Sequence, residues 1–170
     1  MQIEVARDAI RQQFGAAIDS LEGVIRACPE DLWTAGNRWY QPWYLAFHTL
    51  FWLDLYLSES MADYLPPAPF TRGELEAGVF PERPYQKREL LDWLVRCRQA
   101  LDARLTTVAT DQGFRRACRM SWGEMEAGEL LLYNLRHVQH HVGQINLLIR
   151  QGGGEPAPWV ARAVGLADDR

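Results

Sequence analysis

Residues 134–151 read NLRHVQHHVGQINLLIRQ, and this stretch decides the fold because it combines an apolar stripe with three histidines. Apolar side chains recur in it at three- and four-residue steps, which is the repeat of an amphipathic α-helix. The helix is predicted over residues 126–150, and the three glycines at 152–154 end it. Each residue turns a helix by about 100°, so His137 and His141 project side by side, one turn apart. That spacing allows two imidazoles to bind one metal ion.

The inward face of this helix carries polar side chains. It is drawn through Leu131, Asn134, Val138, His141, Ile145 and Leu148, with His137 and Gln144 flanking it on one edge. Burying such polar groups without partners costs about 1–3 kcal/mol each. A metal ion would satisfy them, with Asn134 or Gln144 supporting the ligands by hydrogen bonds. His140 points about 100° away from His141, so it is expected on the exposed surface or bonded to a neighbouring helix.

A second helix is predicted over residues 41–64, and it is apolar around almost its whole circumference. Such a helix is buried on more than one side, and the extra side is expected to meet a partner subunit. His48 lies midway along it, one turn from Tyr44 and Trp52, and offers a third ligand. Three neutral imidazoles with open positions are typical of a catalytic site, whereas a structural zinc site is usually closed by four protein ligands. Tyr44, Trp52 and Tyr133 are expected to line a pocket, although aromatic residues at this spacing are also typical of plain core.

The remaining sequence completes an all-α pattern. Two further amphipathic helices are predicted over residues 3–27 and 86–109, and a Pro- and Gly-containing crossover joins the second helix to the third over 65–85. Residues 110–125 are mixed and polar without a strand pattern, and one helical turn is expected around 159–164. These elements predict a four-helix bundle, with a single domain over residues 1–165 and a tail over 166–170. Arg115, Arg116 and Arg119 form a small basic cluster that is either a solvated face, which we favour, or an anion-binding rim.

Composition excludes several classes of function. The chain has 170 residues and a net charge of −4, which gives no basic field for nucleic acid. The most apolar stretch, Trp43–Leu57, is too short to span a bilayer, and the N-terminus has no apolar signal core, so a cytoplasmic protein without membrane partners is expected. Three cysteines lie far apart without a CxxC motif, and they are expected to be reduced structural thiols: Cys28, Cys97 and Cys118.

Two segments resemble a known family. HVQHHVGQINLLIRQ, at 137–151, is similar to the C-terminal signature of the DinB-like (DinB/YfiT) superfamily, in which a histidine pair four apart precedes Gly-Gln and a Leu-rich helix end. WYLAFHTLFWLDLYL, at 43–57, looks like that family's second helix, which carries one histidine. The order and separation of the two motifs strengthen the resemblance, which covers about residues 1–150.

The resemblance implies an up-down-down-up four-helix bundle and one divalent metal, nickel or zinc, held by three histidines. By motif position these are His48, His137 and His141. Members with assigned activity include thiol-dependent transferases and isomerases that use low-molecular-weight thiols such as mycothiol or bacillithiol. Many members pair as homodimers through helices. The name of the family refers to DNA damage, but the acidic composition does not support a nucleic-acid partner.

Three functional hypotheses stay open at this point. The first is a metal-dependent enzyme that transfers a thiol to a small molecule or hydrolyses one. The second is a non-catalytic metal-binding module, and the third is a structural dimer with metal-free histidines. Imidazole ligands suit zinc, nickel, copper and iron alike. No general base is named, because acids near the histidines are few: Glu129 on the last helix, and Asp54 and Glu59 on the second, where Asp54 lies six residues after His48 on a different helix face.

Overall fold

The computed structural model describes residues 3–58 and 61–164, and the predicted tail at 166–170 lies outside this part of the chain. The helices are α1 (Ile3–Ala27), α2 (Glu30–Trp33), α3 (Pro42–Leu57), α4 (Lys87–Thr107), α5 (Asp111–Phe114) and α6 (Ala127–Gln151). Two strands, β1 (Ala117–Met120) and β2 (Gly123–Glu126), form a small antiparallel hairpin. Short 3₁₀ helices lie at Arg38–Tyr40 and Arg72–Leu75. The fold is all-α, as predicted, with α1, α3, α4 and α6 as its four long helices.

Contacts between α3 and its neighbours fix the direction of three helices. Trp43 packs against Tyr85, two residues before α4, and further along Asp54 accepts a hydrogen bond from Trp93 Nε1 at 2.9 Å. Residue numbers increase together in these pairs, so α3 and α4 are parallel. His48 lies against His137 while Tyr56 lies against Tyr133, so α3 and α6 are antiparallel.

The direction of α1 completes the topology. Arg98 of α4 forms ion pairs with Asp19 and Glu22, whereas Arg11 pairs with Asp102. The numbers run in opposite senses, so α1 and α4 are antiparallel. The bundle is therefore up-down-down-up, and the parallel pair α3 and α4 requires the long crossover that the sequence predicts.

The crossover corrects the expectation that the extra apolar side of α3 meets a partner subunit. Phe70 stacks on Trp93 with ring centroids 4.2 Å apart, and Phe80 stacks on Tyr44 at 4.5 Å. Phe70 also stacks on Phe47 of α3 at 6.2 Å, so rings of the same chain cover α3, and almost every residue of this helix is already buried. The apolar circumference of α3 therefore no longer argues for a dimer.

Three local predictions were wrong. The second helix ends at Leu57 rather than at residue 64, because the chain turns back and Tyr64 donates its hydroxyl to Asp54 at 3.0 Å. Residues 117–126 form a hairpin in which Cys118 and Met120 alternate with exposed neighbours. Residues 159–164 are not helical, because this segment lies along α1, where the Ala163 amide donates to the carbonyl of Gln12 at 3.2 Å.

One core joins the long helices, with buried side chains contributed from Ile10 in α1 through Ile149 in α6. Among residues 3–58 and 61–164, no helix combines the length and the apolar character needed to cross a bilayer.

Two glycines of α6 predict opposite responses to alanine. A Cβ on Gly128 would overlap the ring of Phe114, whereas nothing lies within 4 Å of a Cβ on Gly143. We expect Gly128→Ala to lower the free energy of unfolding by about 1–3 kcal/mol through overpacking. Gly143→Ala, the matched control, should raise it by up to about 1 kcal/mol, because alanine is the better helix former. Urea denaturation measures both, and equal effects of the two substitutions would contradict the packing described here.

Candidate metal centre

The antiparallel packing of α3 and α6 brings three histidines together. His48 lies midway along α3, and His137 and His141 lie one turn apart on α6. One potential ligand nitrogen from each lies within 4.8 Å of the other two. The imidazole ring centroids of His137 and His141 are 4.6 Å apart, and those of His48 and His141 are 4.8 Å apart.

The nitrogen positions fit one ion. His137 Nε2 and His48 Nε2 are 3.4 Å apart. Two nitrogens bound to one ion at 2.0–2.1 Å with tetrahedral angles are about 3.3 Å apart, so the observed separation is that of two ligands of one ion. His137 Nδ1 is also buried without a hydrogen-bond partner. An ion bound at Nε2 would leave this Nδ1 unpaired as well, so the orphaned atom is a cost of burying His137 and is separate from the proposed ligand atom.

A carboxylate that the sequence interpretation missed supports His48. Glu74 lies on the 3₁₀ helix of the crossover, its side chain is 5% exposed, and its Oε1 contacts His48 Nδ1. The Tyr44 hydroxyl donates to the same carboxylate at 3.3 Å. With Nδ1–H donated to Glu74, His48 keeps the lone pair of Nε2 for a metal. Metal-binding histidines are commonly held in this way by a carboxylate, which fixes the tautomer and raises the basicity of the ligand.

Gln144 supports His141, as the sequence suggests, but Asn134 does not contact the histidines. Gln144 Oε1 accepts a hydrogen bond from His141 Nδ1 at 2.6 Å, which leaves Nε2 free. Asn134 is fully buried, and its amide donates to the backbone carbonyl of Leu53 at 3.1 Å. It therefore joins α6 to α3 beside the site rather than orienting an imidazole.

Burial keeps two of the imidazoles neutral. Desolvation, together with the neighbouring imidazoles of His141 and His48, lowers the pKa of His137 to about 3. Desolvation also lowers the pKa of His141 to about 4, although the hydrogen bond that His141 donates to Gln144 acts in the opposite direction. Both side chains are therefore neutral near pH 7, which is the form that binds a metal ion.

Aromatic rings surround the three histidines. Tyr44 and Trp52 lie one turn on either side of His48, with centroids 6.2 and 6.3 Å from its ring. Tyr56, which the sequence interpretation did not single out, packs edge-on against His137 at 6.2 Å, and Tyr133 packs on Tyr56 at 5.4 Å.

The inward face of α6 differs in part from the predicted stripe. Val142 and Ile149 are buried, whereas His141 and Leu148 are only half-buried. The core contacts of α6 come from both α1 and α3, so the buried face is wider than one stripe and leaves His141 at its edge. His140 is exposed, as expected, and its ring touches His141 at a centroid distance of 5.0 Å.

The acids weighed as bases lie away from the site. Asp54 accepts hydrogen bonds from Tyr64 and Trp93 on another side of α3, and Glu129 is exposed. Glu59 lies outside the described residues. Around the histidines, the carboxylate that the described chain supplies is that of Glu74.

A bundle of this topology with three converging histidines defines a class of helical proteins with a potential metal centre. Comparison with known families agrees, because the family model of the DinB superfamily matches residues 13–145. The chain belongs to the DinB superfamily. No curated protein and no solved structure matches it.

The neutral state of His137 predicts how stability depends on pH. The pKa of His137 is about 3 in the folded protein, against 6.5 for the unperturbed side chain. Unfolded chains therefore bind more protons below pH 6.5, and the stability that neutral His137 contributes is lost as pH falls from there towards about 3. We expect the melting temperature of chelator-treated wild type to fall more steeply between about pH 7 and pH 4 than the melting temperature of His137→Gln. The exposed His140→Gln serves as control and should follow wild type, and parallel curves for wild type and His137→Gln would contradict the assignment.

The contact between Glu74 and His48 predicts a loss of metal affinity when the Glu74 carboxylate is replaced by a neutral amide. We expect Glu74→Gln to weaken divalent-metal binding by about 10- to 100-fold, because the amide supports the His48 ligand less well than the carboxylate. Glu76→Gln, an exposed neighbour on the same segment, should bind metal like wild type. Competition with a chromogenic chelator gives both affinities, and an unchanged affinity of Glu74→Gln would show that Glu74 does not support the ligand.

Proposed function

We propose that this protein binds one divalent metal ion through His48, His137 and His141 and uses it in thiol transfer to a small electrophilic molecule. The observation that carries the proposal is the convergence of three imidazoles, two of which, His48 and His141, are held at Nδ1 by Glu74 and Gln144. The His48 side chain is 26% exposed, so the centre is open to small molecules. Three ligands with access from solvent are typical of catalytic sites.

The type of ligand limits which metal ions can bind at this site. The potential metal-binding group in the described part of the chain consists of histidines without a cysteine. Imidazole suits zinc, nickel, copper and iron, and we propose zinc or nickel because the family resemblance implies one of these two. A divalent ion held in this way would lower the pKa of a bound thiol or water towards neutrality.

The surroundings of the site favour thiol transfer over hydrolysis. Attack by water is helped by a general base close to the nucleophile. Glu74, the carboxylate at this site, already accepts hydrogen bonds from His48 and Tyr44, so it orients a ligand rather than accepting a proton from water. A low-molecular-weight thiol has a pKa of about 8.5 and can give its proton to solvent near neutral pH without a base from the protein. Its sulfur can then form a bond to carbon as the bond to the leaving group breaks. Tyr44 and Trp52 provide apolar contact area next to the site.

A non-catalytic metal-binding role is the second candidate. An ion bound by these three residues would join α3 to α6, since His48 belongs to one helix and His137 and His141 to the other. Such a link would stabilise the bundle whether or not any chemistry follows. A homodimer and a cytoplasmic location stay predictions, and the dimer now rests on the family resemblance alone.

Metal analysis and activity assays separate these roles. We expect protein purified without a histidine tag to hold one equivalent of zinc or nickel per chain and His137→Ala to lose it, with His140→Ala as the matched control. At a free metal concentration of about 100 times Kd, the ion should add about 2.7 kcal/mol to the free energy of unfolding. Loss of a thiol in the presence of small electrophiles, dependent on His137, would support catalysis. Metal-dependent stability without thiol consumption would support the non-catalytic role, and a wild type without metal would contradict both.

A further inference from the structure

An open cleft lies next to the histidine centre, on the side of the crossover. Its volume is about 1120 Å³, and its walls come from α3, the crossover and the β1–β2 hairpin. Trp52, Met61 and Leu75 give it apolar surface, and Arg72, Arg119 and Ser121 give it polar groups. Sites for small organic molecules have this composition of mostly apolar walls with a few polar groups.

Two residues connect the cleft to the histidines. Glu74 and Trp52 both line the cleft. Glu74 also contacts His48 through its carboxylate, and the Trp52 ring lies 6.3 Å from that of His48. A molecule in the cleft would therefore lie one side chain away from the proposed metal ligands.

The charges in the cleft are positive where solvent reaches it. Arg72 is exposed, and none of the ion pairs resolved within the described residues involves it. The carboxylate of Glu74 also lies in the cleft wall and keeps its negative charge, but its hydrogen bonds go to His48 and Tyr44, and no ion pair resolved within the described residues joins it to Arg72. Arg119 pairs with Glu124 at 2.9 Å, but its side chain is 87% exposed and keeps donors free. Guanidinium groups bind carboxylate and phosphate oxygens through paired hydrogen bonds.

We propose that this cleft binds a small organic oxyanion. The role of this anion as substrate or co-substrate of the adjacent centre rests on the proposed function. Arg72 and Arg119 bind its carboxylate or phosphate group, and Trp52, Met61 and Leu75 contact its apolar body. A neutral molecule of the same shape would lack the contacts with Arg72 and Arg119. Inorganic phosphate would lack the apolar contacts with Trp52, Met61 and Leu75. The basic residue Arg119 is thus part of an anion-binding rim rather than of a purely solvated face.

Three matched probes test the chemistry. Naphthoate, naphthyl phosphate and naphthalenemethanol share one apolar body and differ in the head group. We measure their affinity for the full chain by calorimetry, both after removal of metal with a chelator and after loading with zinc. At least one of the two anions should bind at one site per chain and about tenfold more tightly than the alcohol, and their ratio identifies the preferred head group. Equal binding of all three probes, or binding of none, would overturn the proposal.

Substitutions localise the binding. Arg72→Gln and Arg119→Gln should each weaken anion binding by about five- to tenfold. Ala77→Glu, which adds a negative charge to the exposed wall of the cleft, should weaken it at least as much. Arg88→Gln, an exposed arginine on α4, is the matched control and should bind like wild type. Melting curves check that each variant is folded, and loss of binding in Arg88→Gln equal to that in Arg72→Gln would overturn the assignment to the cleft.

The two metal states separate this inference from the proposed function. Anion binding by metal-free protein that depends on Arg72 supports the cleft even if the histidines hold no ion. Binding of zinc without binding of either anion overturns the cleft and leaves the metal centre intact. If anion binding requires zinc and is unaffected by Arg72→Gln, the anion is a ligand of the metal and the cleft assignment is wrong.

Discussion

The contact between α3 and α6 is the constraint on which the site depends. These two helices are antiparallel, and the buried amide of Asn134 donates to the Leu53 carbonyl in the middle of their contact. A slide of one helix by a single turn, about 5.4 Å, would move His48 away from His137 and His141 and leave the amide without its acceptor. The same packing that buries the core therefore also sets the separation of the imidazole nitrogens. The position of α3 relative to α6 along their axes therefore specifies both the fold and the site.

The sequence predicts the parts of the structure that repeat. Apolar residues at three- and four-residue steps locate α1, α4 and α6, whereas a nearly continuous apolar stretch locates α3. The spacing of His137 and His141 places both on one edge of α6. Glu74 could not be found in this way, because it lies 26 residues from His48 in a segment without periodicity. Only the folded path of the crossover brings its carboxylate to Nδ1. The hairpin was missed for a related reason, since strands of four residues are too short to show a repeat of two.

The burial of α3 shows a second limit of sequence patterns. An apolar circumference indicates that a helix is covered, but it does not indicate which surface covers it. Here the crossover does so, with Phe70 and Phe80 packed on the aromatic side chains of the bundle. Likewise, residues 159–164 carry no apolar repeat that would reveal their path along α1, which depends on backbone hydrogen bonds such as that from Ala163 to Gln12.

Glu74 lies outside the four long helices, so the metal ligands and the residue that supports His48 belong to different parts of the fold. The three imidazoles lie on long helices whose other side chains form the core, so changes around them are constrained by packing. Glu74, Arg72 and Leu75 lie on a surface connection, where insertions and exchanges are tolerated far more easily. Exchanges at Arg72, Glu74 and Leu75 would alter the support of His48 and the shape of the adjoining cleft, provided that Phe70 and Phe80 stay in place to cover the bundle. Substitutions in this part of the crossover are therefore the most direct way to change which molecules the cleft binds while the four long helices stay the same.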